Sequence, residues 1–284
     1  MVSLIKRKVG KYEYYYIVHS FRKNGKICKE QKYIGKEIPQ NIKEIMQEFK
    51  KKGLVEFYQK LEQIKNHFQS EWKKLPESIK EKEKQEIAIA FTYNTNAIEG
   101  STITLEEARE VIEDKTSPNK PLREIKETES HAKTFLEMLK KQEKLSEELV
   151  LRWHKEIFGE TKHDIAGKYR DYLVRVGEHL APDWQDIPKL MKEFFAFLKT
   201  KGMNPVEFSA RAHYRFEKIH PFGDGNGRIG RLIMNHILWL NYYPMLIIEY
   251  KKRRSYYKAL KKDEEGFVRY YLRRYLAVHK KMIK

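Results

Sequence analysis

Cysteine occurs once in the 284 residues, at Cys28, which excludes an internal disulfide and a thiolate zinc cluster and leads us to expect a reducing, cytoplasmic setting. No apolar run approaches the ~20 residues that a membrane span needs. The richest stretch, Leu232 to Leu240, is short and broken by Asn235 and His236. The segment Met1 to Lys11 scatters cations through its length without an apolar core, so it does not read as a signal peptide. A Gly-x-x-x-x-Gly-Lys-Ser/Thr loop is absent, which excludes P-loop nucleotide binding. There is no internal repeat and no low-complexity linker. His154, His163 and His213 lack the close partners of a transition-metal site and read as packing or surface residues.

Charge is plentiful. The chain has 58 Lys and Arg against 40 Asp and Glu, a net charge of +18. Such a surface attracts nucleic acid, acidic proteins and nucleotide phosphates. The lysines are nevertheless spread along almost the whole chain among many glutamates, which is also a common way to build a stable surface. Length and hydrophobic content, 40%, suffice for one large domain or two unequal ones.

Residues 1–38 differ from the rest. Tyr12 to Phe21 is aromatic and β-branched, Asn24-Gly25 suits a tight hairpin turn, and Ile27 to Ile34 can return as the partner strand. Ser3 to Lys8 is a third candidate strand, and the unit reads as a small antiparallel β-ribbon. The run Tyr14-Tyr15-Tyr16 fits a half-buried sheet, with stacking on nucleobases as the alternative. From 39 to 284 the apolar spacing is helical: Ile42 to Lys52, Leu54 to Glu71, Glu77 to Ala97, a capping box opening at Thr104, Ile125 to Lys141, Ser146 to Phe158, and further segments to Lys281. Leu173 to Val176 alternates between helices and reads as a short extended hairpin. The fold class is therefore mainly α.

One segment departs from local preference. In His220-Pro221-Phe222-Gly223-Asp224-Gly225-Asn226-Gly227-Arg228, three glycines alternate just before an apolar helix. Glycines let the backbone come close to a ligand, and a helix start offers bare N–H groups, so the pair makes an anion cradle. Arg228 and Arg231 share a face in the first turns of that helix, where the dipole disfavours cations; a bound polyphosphate reverses that penalty. His220 is suited to general-base work and Asp224 to holding Mg²⁺ together with substrate phosphates. Base, metal ligand, cradle and arginine clamp within twelve residues point to phosphoryl chemistry.

His220 to Arg231 resembles the Fic-family signature, His-x-Phe-x-Asp/Glu-Gly-Asn-Gly-Arg-x-x-Arg, at every defined position. The resemblance extends over about residues 80–280, with 205–241 as its core, and leaves the β-ribbon outside. It implies a helical bundle that moves AMP from ATP to a Tyr, Ser or Thr hydroxyl of a target protein. His220 would take the proton, and Asp224 would hold Mg²⁺ across the α- and β-phosphates. Gly225, Asn226 and Gly227 would cradle the phosphates, with Arg228 and Arg231 at their β/γ end. Phe222 would anchor the loop. Gly167 to Pro182 is similar to the family's flap, where Arg175, Val176 and Gly177 would pair with an extended target segment. Tyr257 would approach the adenine, with Tyr256 or plain core packing as alternatives. Glu264 stands near the place where the family carries an asparagine. A homodimer is expected from the family's habit.

Upstream, Thr95-Asn96-Ala97-Ile98-Glu99-Gly100 is similar to the family's inhibitory motif, Ser/Thr-x-x-x-Glu-Gly/Asn. Thr95 and Glu99 share a helix face, and Gly100 suits a helix terminator. A carboxylate at a helix C-terminus is poorly placed unless a cation meets it. The resemblance names that cation as Arg231, so that Glu99 would take the γ-phosphate position and autoinhibit the transferase. Two alternatives stand beside transfer. One is removal of AMP from a modified protein with Glu99 activating water. The other is a nucleic-acid-binding regulator with a vestigial Fic core.

Overall fold

The computed structural model describes residues 2–23, 26–176 and 179–283. The chain divides into two compact units, 1–63 and 64–284.

The first unit is an antiparallel three-stranded sheet in the order β1-β2-β3, with β1 at Val2–Val9, β2 at Tyr12–Lys23 and β3 at Lys26–Gly35. β2 lies between the other two, and its register pairs Val9 with Tyr12, Ile5 with Tyr16 and Tyr16 with Tyr33. A bulge between Tyr15 and Tyr16 shifts the pairing with β3. Lys23 stands opposite Lys26; the turn expected at Asn24-Gly25 lies outside the described residues. The unit then runs into a long helix, α1, Ile42–Lys74. The sequence suggested two helices there, broken near Gly53. A single glycine costs only about 1 kcal/mol inside a helix, and the chain continues through it. The last strand ends at Gly35, while the compact unit continues to Gln63.

The second unit is helical. α2 (Glu77–Ile98), α4 (Leu122–Lys141), α5 (Glu147–Phe158), α6 (Ile187–Leu198), α7 (Pro205–Ile219) and α8 (Asn226–Leu240) share one core, and α3 (Leu105–Arg109) lies between α2 and α4. α9 (Arg253–Leu260) and α10 (Glu264–Val278) close the bundle. Local chemistry sets the helix starts. Thr104 and Glu107 form a reciprocal capping box, and the side chains of Ser146, Asn204 and Asp263 accept from the first turns of α5, α7 and α10.

α8 is the hub. Apart from Gly227 and Leu240 every one of its residues is buried, polar ones included. A helix buried all round is held by its neighbours rather than by one apolar stripe. Asn235 secures it by exchanging hydrogen bonds with the backbone of Leu246, 2.9 Å and 3.2 Å. A two-residue hairpin, β4 (Arg175–Val176) and β5 (His179–Leu180), projects between α5 and α6 in sequence.

Candidate active site

The signature loop is built by α7 stopping at the right place. His220 ends the helix with φ 51° and ψ 59°, while its N–H still bonds to the Phe216 carbonyl at 2.9 Å. A non-glycine residue in this left-handed region carries strain, and such strain persists where surroundings enforce it. The enforcement is visible. Phe222 is fully buried and stacks on His154 at 3.9 Å, with the rings 12° from parallel. The Asn226 side chain accepts from Phe222 N at 2.9 Å and donates to Phe222 O at 2.8 Å, closing residues 222–226 into a loop. The amide of Asn226 is therefore spent inside the loop, and only its backbone is left for a ligand.

Histidine chemistry fixes the underside. Gly167 N donates to His154 Nδ1 at 2.8 Å, so His154 Nε2 carries the proton and donates to Asp224 O at 3.0 Å. Burial pushes the His154 pKa down to about 4, which keeps the ring neutral. Gly225 has φ 79°, and a Cβ there would lie 2.3 Å from the Phe158 ring. Only glycine lets the backbone turn down onto Phe158 and start α8 at this point.

Arg231 is the most confined charge in the site, with 1% of its side chain exposed. Its Nε donates to Thr95 Oγ1 at 2.6 Å, and one terminal nitrogen donates both to Glu99 Oε1 at 2.7 Å and to Thr95 O at 3.1 Å. Glycine at 227 is what admits this carboxylate: a Cβ there would sit 2.2 Å from Glu99 Oε1. Glu99 caps the C-terminus of α2, a poor place for an anion, yet its carboxylate rests on the first turn of α8, a good one. Arg228 lies against the face of Phe158, 4.3 Å from the ring centre, and forms a short ion pair with Glu127 of α4.

A sequence profile of the Fic/DOC family matches residues 144–238. The protein adenylyltransferase Fic of Nematostella vectensis is 35% identical over 189 residues, 64% of this chain and 44% of that protein. The same-named protein of Drosophila ananassae is 34% identical over 197 residues, 67% of this chain and 40% of that protein. This chain belongs to the Fic/DOC family. A Fic family protein of Desulfovibrio desulfuricans superposes with a TM-score of 0.68 at 28% identity, covering 80% of this chain and 73% of that one. Fic-1 of C. elegans gives 0.68 at 25%, covering 86% and 77%. The chain spans less than half the length of the two curated relatives.

Within the Fic site, His220 has its Nδ1 buried, and burial lowers its pKa, with the Glu217 carbonyl opposing and Arg170 adding to the shift. The ring is accordingly neutral near pH 7 and able to accept a proton. Asp224 faces the mouth of the site with half of its side chain exposed and meets Lys162 Nζ at 2.8 Å through Oδ2. Burial raises its pKa, and the hydrogen bond to Lys162 and the Arg228 charge more than offset this, so the carboxylate stays ionised.

Tyr257 donates to the Ile98 carbonyl at 3.1 Å and so ties α9 to the end of the helix bearing Glu99, while its ring stays 40% exposed. Tyr256 is buried, sharing a hydrogen bond of 2.8 Å with His213 Nε2 and receiving a long one, 3.5 Å, from Arg231. Glu264 is engaged elsewhere, with Arg211 at 2.9 Å and Arg215 at 3.1 Å. In the hairpin, Arg175 pairs with Leu180 and Val176 with His179; Gly177 lies outside the described residues.

Three further residues matter that sequence reading did not single out. Glu127 is buried and receives Arg228, Lys162 at 2.9 Å and the Thr161 hydroxyl at 3.1 Å. Lys162 bridges Glu127 to Asp224. Arg170, noted only as part of the flap-like segment, donates from Nε to the His220 carbonyl at 2.8 Å and from its two terminal nitrogens to the carbonyls of Tyr172 and Pro182 at 2.8 and 2.7 Å. It fastens the base of the hairpin to the signature loop. Glu127 lies about a hundred positions before Arg228, and no local pattern announces it. Buried arginines imply a buried carboxylate, but not which one.

Proposed function

We propose that this chain transfers AMP from ATP to a Tyr, Ser or Thr hydroxyl of a target protein and restrains itself through Glu99. The observation that carries the reading is one rigid loop holding a neutral His220, the ionised Asp224 and the glycine-lined start of α8, with two buried arginines behind it.

His220 removes the proton of the target hydroxyl as its oxygen attacks the α-phosphate. The bond from that phosphorus to the bridging oxygen breaks, and pyrophosphate leaves with the electron pair. The backbone N–H groups of Asn226 and Gly227 donate to phosphate oxygens, that of Gly225 joins them on leaving Asp224 Oδ1, to which it donates at 2.5 Å, and Arg228 and Arg231 balance the charge. The donor set suits Mg²⁺: Asp224 offers a half-exposed hard oxygen on which a cation, the Lys162 ammonium, already rests. Asp224 would hold the ion, which would supply neutralisation of the phosphate charge. The target presents its hydroxyl from an extended segment paired with β4, and the exposed Leu173 and Leu180 offer it apolar contacts.

Glu99 sits where a γ-phosphate would reach Arg231, so ATP in the productive pose and the Glu99–Arg231 pair exclude each other. A second reading, AMP removal, draws support from the same carboxylate: its side chain keeps 30% exposure and is therefore open to water. ATP labelled on either the α- or the γ-phosphate separates these readings from a kinase. With the Glu99→Gly variant and cell lysate whose own kinases have been heat-inactivated, transfer deposits the α-label alone on protein. Deposition of the γ-label would sink the proposal. Loss of label from a pre-modified target, dependent on Glu99, would favour removal.

A further inference from the structure

We infer that the N-terminal sheet is a binding platform for single-stranded nucleic acid, a site separate from the Fic chemistry. Side chains alternate along a strand, so Tyr12, Tyr14 and Tyr16 of β2 share a side. Their cross-strand partners Val9, Arg7 and Ile5, and Tyr33 opposite Tyr16, lie on it too. Tyr33 forms the centre of an aromatic row, 6.0 Å from Tyr14 and 5.4 Å from Tyr16. The row is open at one end: Tyr12 is 59% and Tyr33 54% exposed, Tyr14 and Tyr16 are half-buried, and the same face closes at Val18, which is buried. The aromatic face is thus open at its Tyr12–Tyr33 end, and β2 is buried on both faces further along, at Ile17 and Val18.

Cations are interleaved with the rings. The Arg7 guanidinium lies 5.1 Å from the Tyr16 ring centre and Lys36 Nζ 4.3 Å from that of Tyr12. Glu13 points to the other side, where Lys6 pairs with it at 2.6 Å. Residues 1–38 carry ten Lys or Arg against three Glu. Flat aromatic faces with cations between them are what a strand of bases on a phosphate backbone needs, since every base has a π-face to stack and every linkage a charge to meet. The reach agrees. Tyr12 to Tyr16 spans about 13 Å of strand, the scale on which sheet-borne aromatics hold two or three bases. An acidic protein would use the cations and leave the rings without a function. Strand addition would use an edge rather than a face. A core role is excluded for rings more than half exposed.

The test uses the full chain and a short fluorescein-labelled oligothymidylate, followed by anisotropy between ~50 and ~200 mM salt. Binding is expected, weakening steeply with salt. Tyr12→Ala and Tyr33→Ala should each weaken it roughly 5- to 150-fold. Tyr12→Phe and Tyr33→Phe should stay within about threefold, because stacking needs the ring and not the hydroxyl. Both positions are exposed, and an unchanged circular dichroism spectrum shows that the variants fold. Three results would each overturn the inference: no anisotropy change at the lowest salt; heparin, which has no bases, bound as well and indifferent to the tyrosines; or equal losses for the Phe and Ala variants. The second would transfer the surface to an acidic partner.

Discussion

Replacing Glu99 by glycine removes the carboxylate that holds Arg231, and its consequences can be worked out in two directions. A hydrogen bond to a charged group contributes roughly 1.5–3 kcal/mol. Glu99 keeps 30% exposure, which screens the pair and argues for the lower part of that range, about 1.5–2 kcal/mol. If Glu99 and the γ-phosphate compete for Arg231, the ATP-competent fraction rises by that amount, roughly 10- to 30-fold. The gain belongs to the apparent affinity for ATP. It should appear as a lower KM in initial rates at sub-saturating ATP and shrink as ATP saturates. Stability should move the other way. Arg231 would remain buried with Thr95 and Tyr256 as its side-chain hydrogen-bond partners and Glu217 as a nearby carboxyl, and stripping one member from a buried pair costs about 3–5 kcal/mol at most. Without ATP, Glu99→Gly should therefore melt at a lower temperature than wild type, and Glu99→Gln, which keeps an acceptor, should fall between them. An ATP dependence and melting temperature both equal to wild type would refute the reasoning.

Other outcomes follow from the same geometry. His220→Ala should abolish transfer and leave ATP binding by calorimetry nearly unchanged; loss of both would make His220 a structural residue. Burial lowers the His220 pKa, so the base is already neutral at pH 7. Transfer by Glu99→Gly should be flat above pH 6.5 and fall only on acidification below it. Glu127→Ala should lose several degrees of thermal stability, because Arg228 and Lys162 both lose their buried partner. The Glu127 pKa is lowered in the fold, where the Arg228 and Lys162 contacts outweigh burial. Its stabilisation is therefore complete above the ordinary value near 4.5 and is lost as pH falls below that, and the acid-unfolding curve of Glu127→Ala should be shallower there. Lys162→Met removes the cation resting on Asp224 and should tighten Mg²⁺ binding in a calorimetric titration without nucleotide.

The signature loop was legible because it breaks local rules: glycines and arginines at a helix start, and a histidine where a helix ends, make sense only around an anion. Thr95 and Glu99 were legible as a spacing, and the structure adds why the carboxylate can reach Arg231, namely the missing Cβ of Gly227. One helix start was readable from its cap, the capping box at Thr104. What stayed hidden depends on tertiary contact. Glu127 and Lys162 look like any surface acid and lysine until α4 and the segment after α5 bring them to Arg228 and Asp224. Arg170 reads as one basic residue among many, yet it is 4% exposed and bonds three carbonyls. The continuity of α1 through Gly53 was missed because a modest propensity cost was read as a break.

The central claim, AMP transfer restrained by Glu99 and driven by His220, is tested most directly by weighing intact protein. Wild type, Glu99→Gly and Glu99→Gly with His220→Ala are incubated briefly with Mg²⁺ and sub-saturating ATP, alone and with cell lysate, and examined by mass spectrometry. The account predicts added AMP, on the protein itself or on a lysate protein, with Glu99→Gly and little or none with the other two. Equal modification by all three, or none by any of them in either setting, would contradict it.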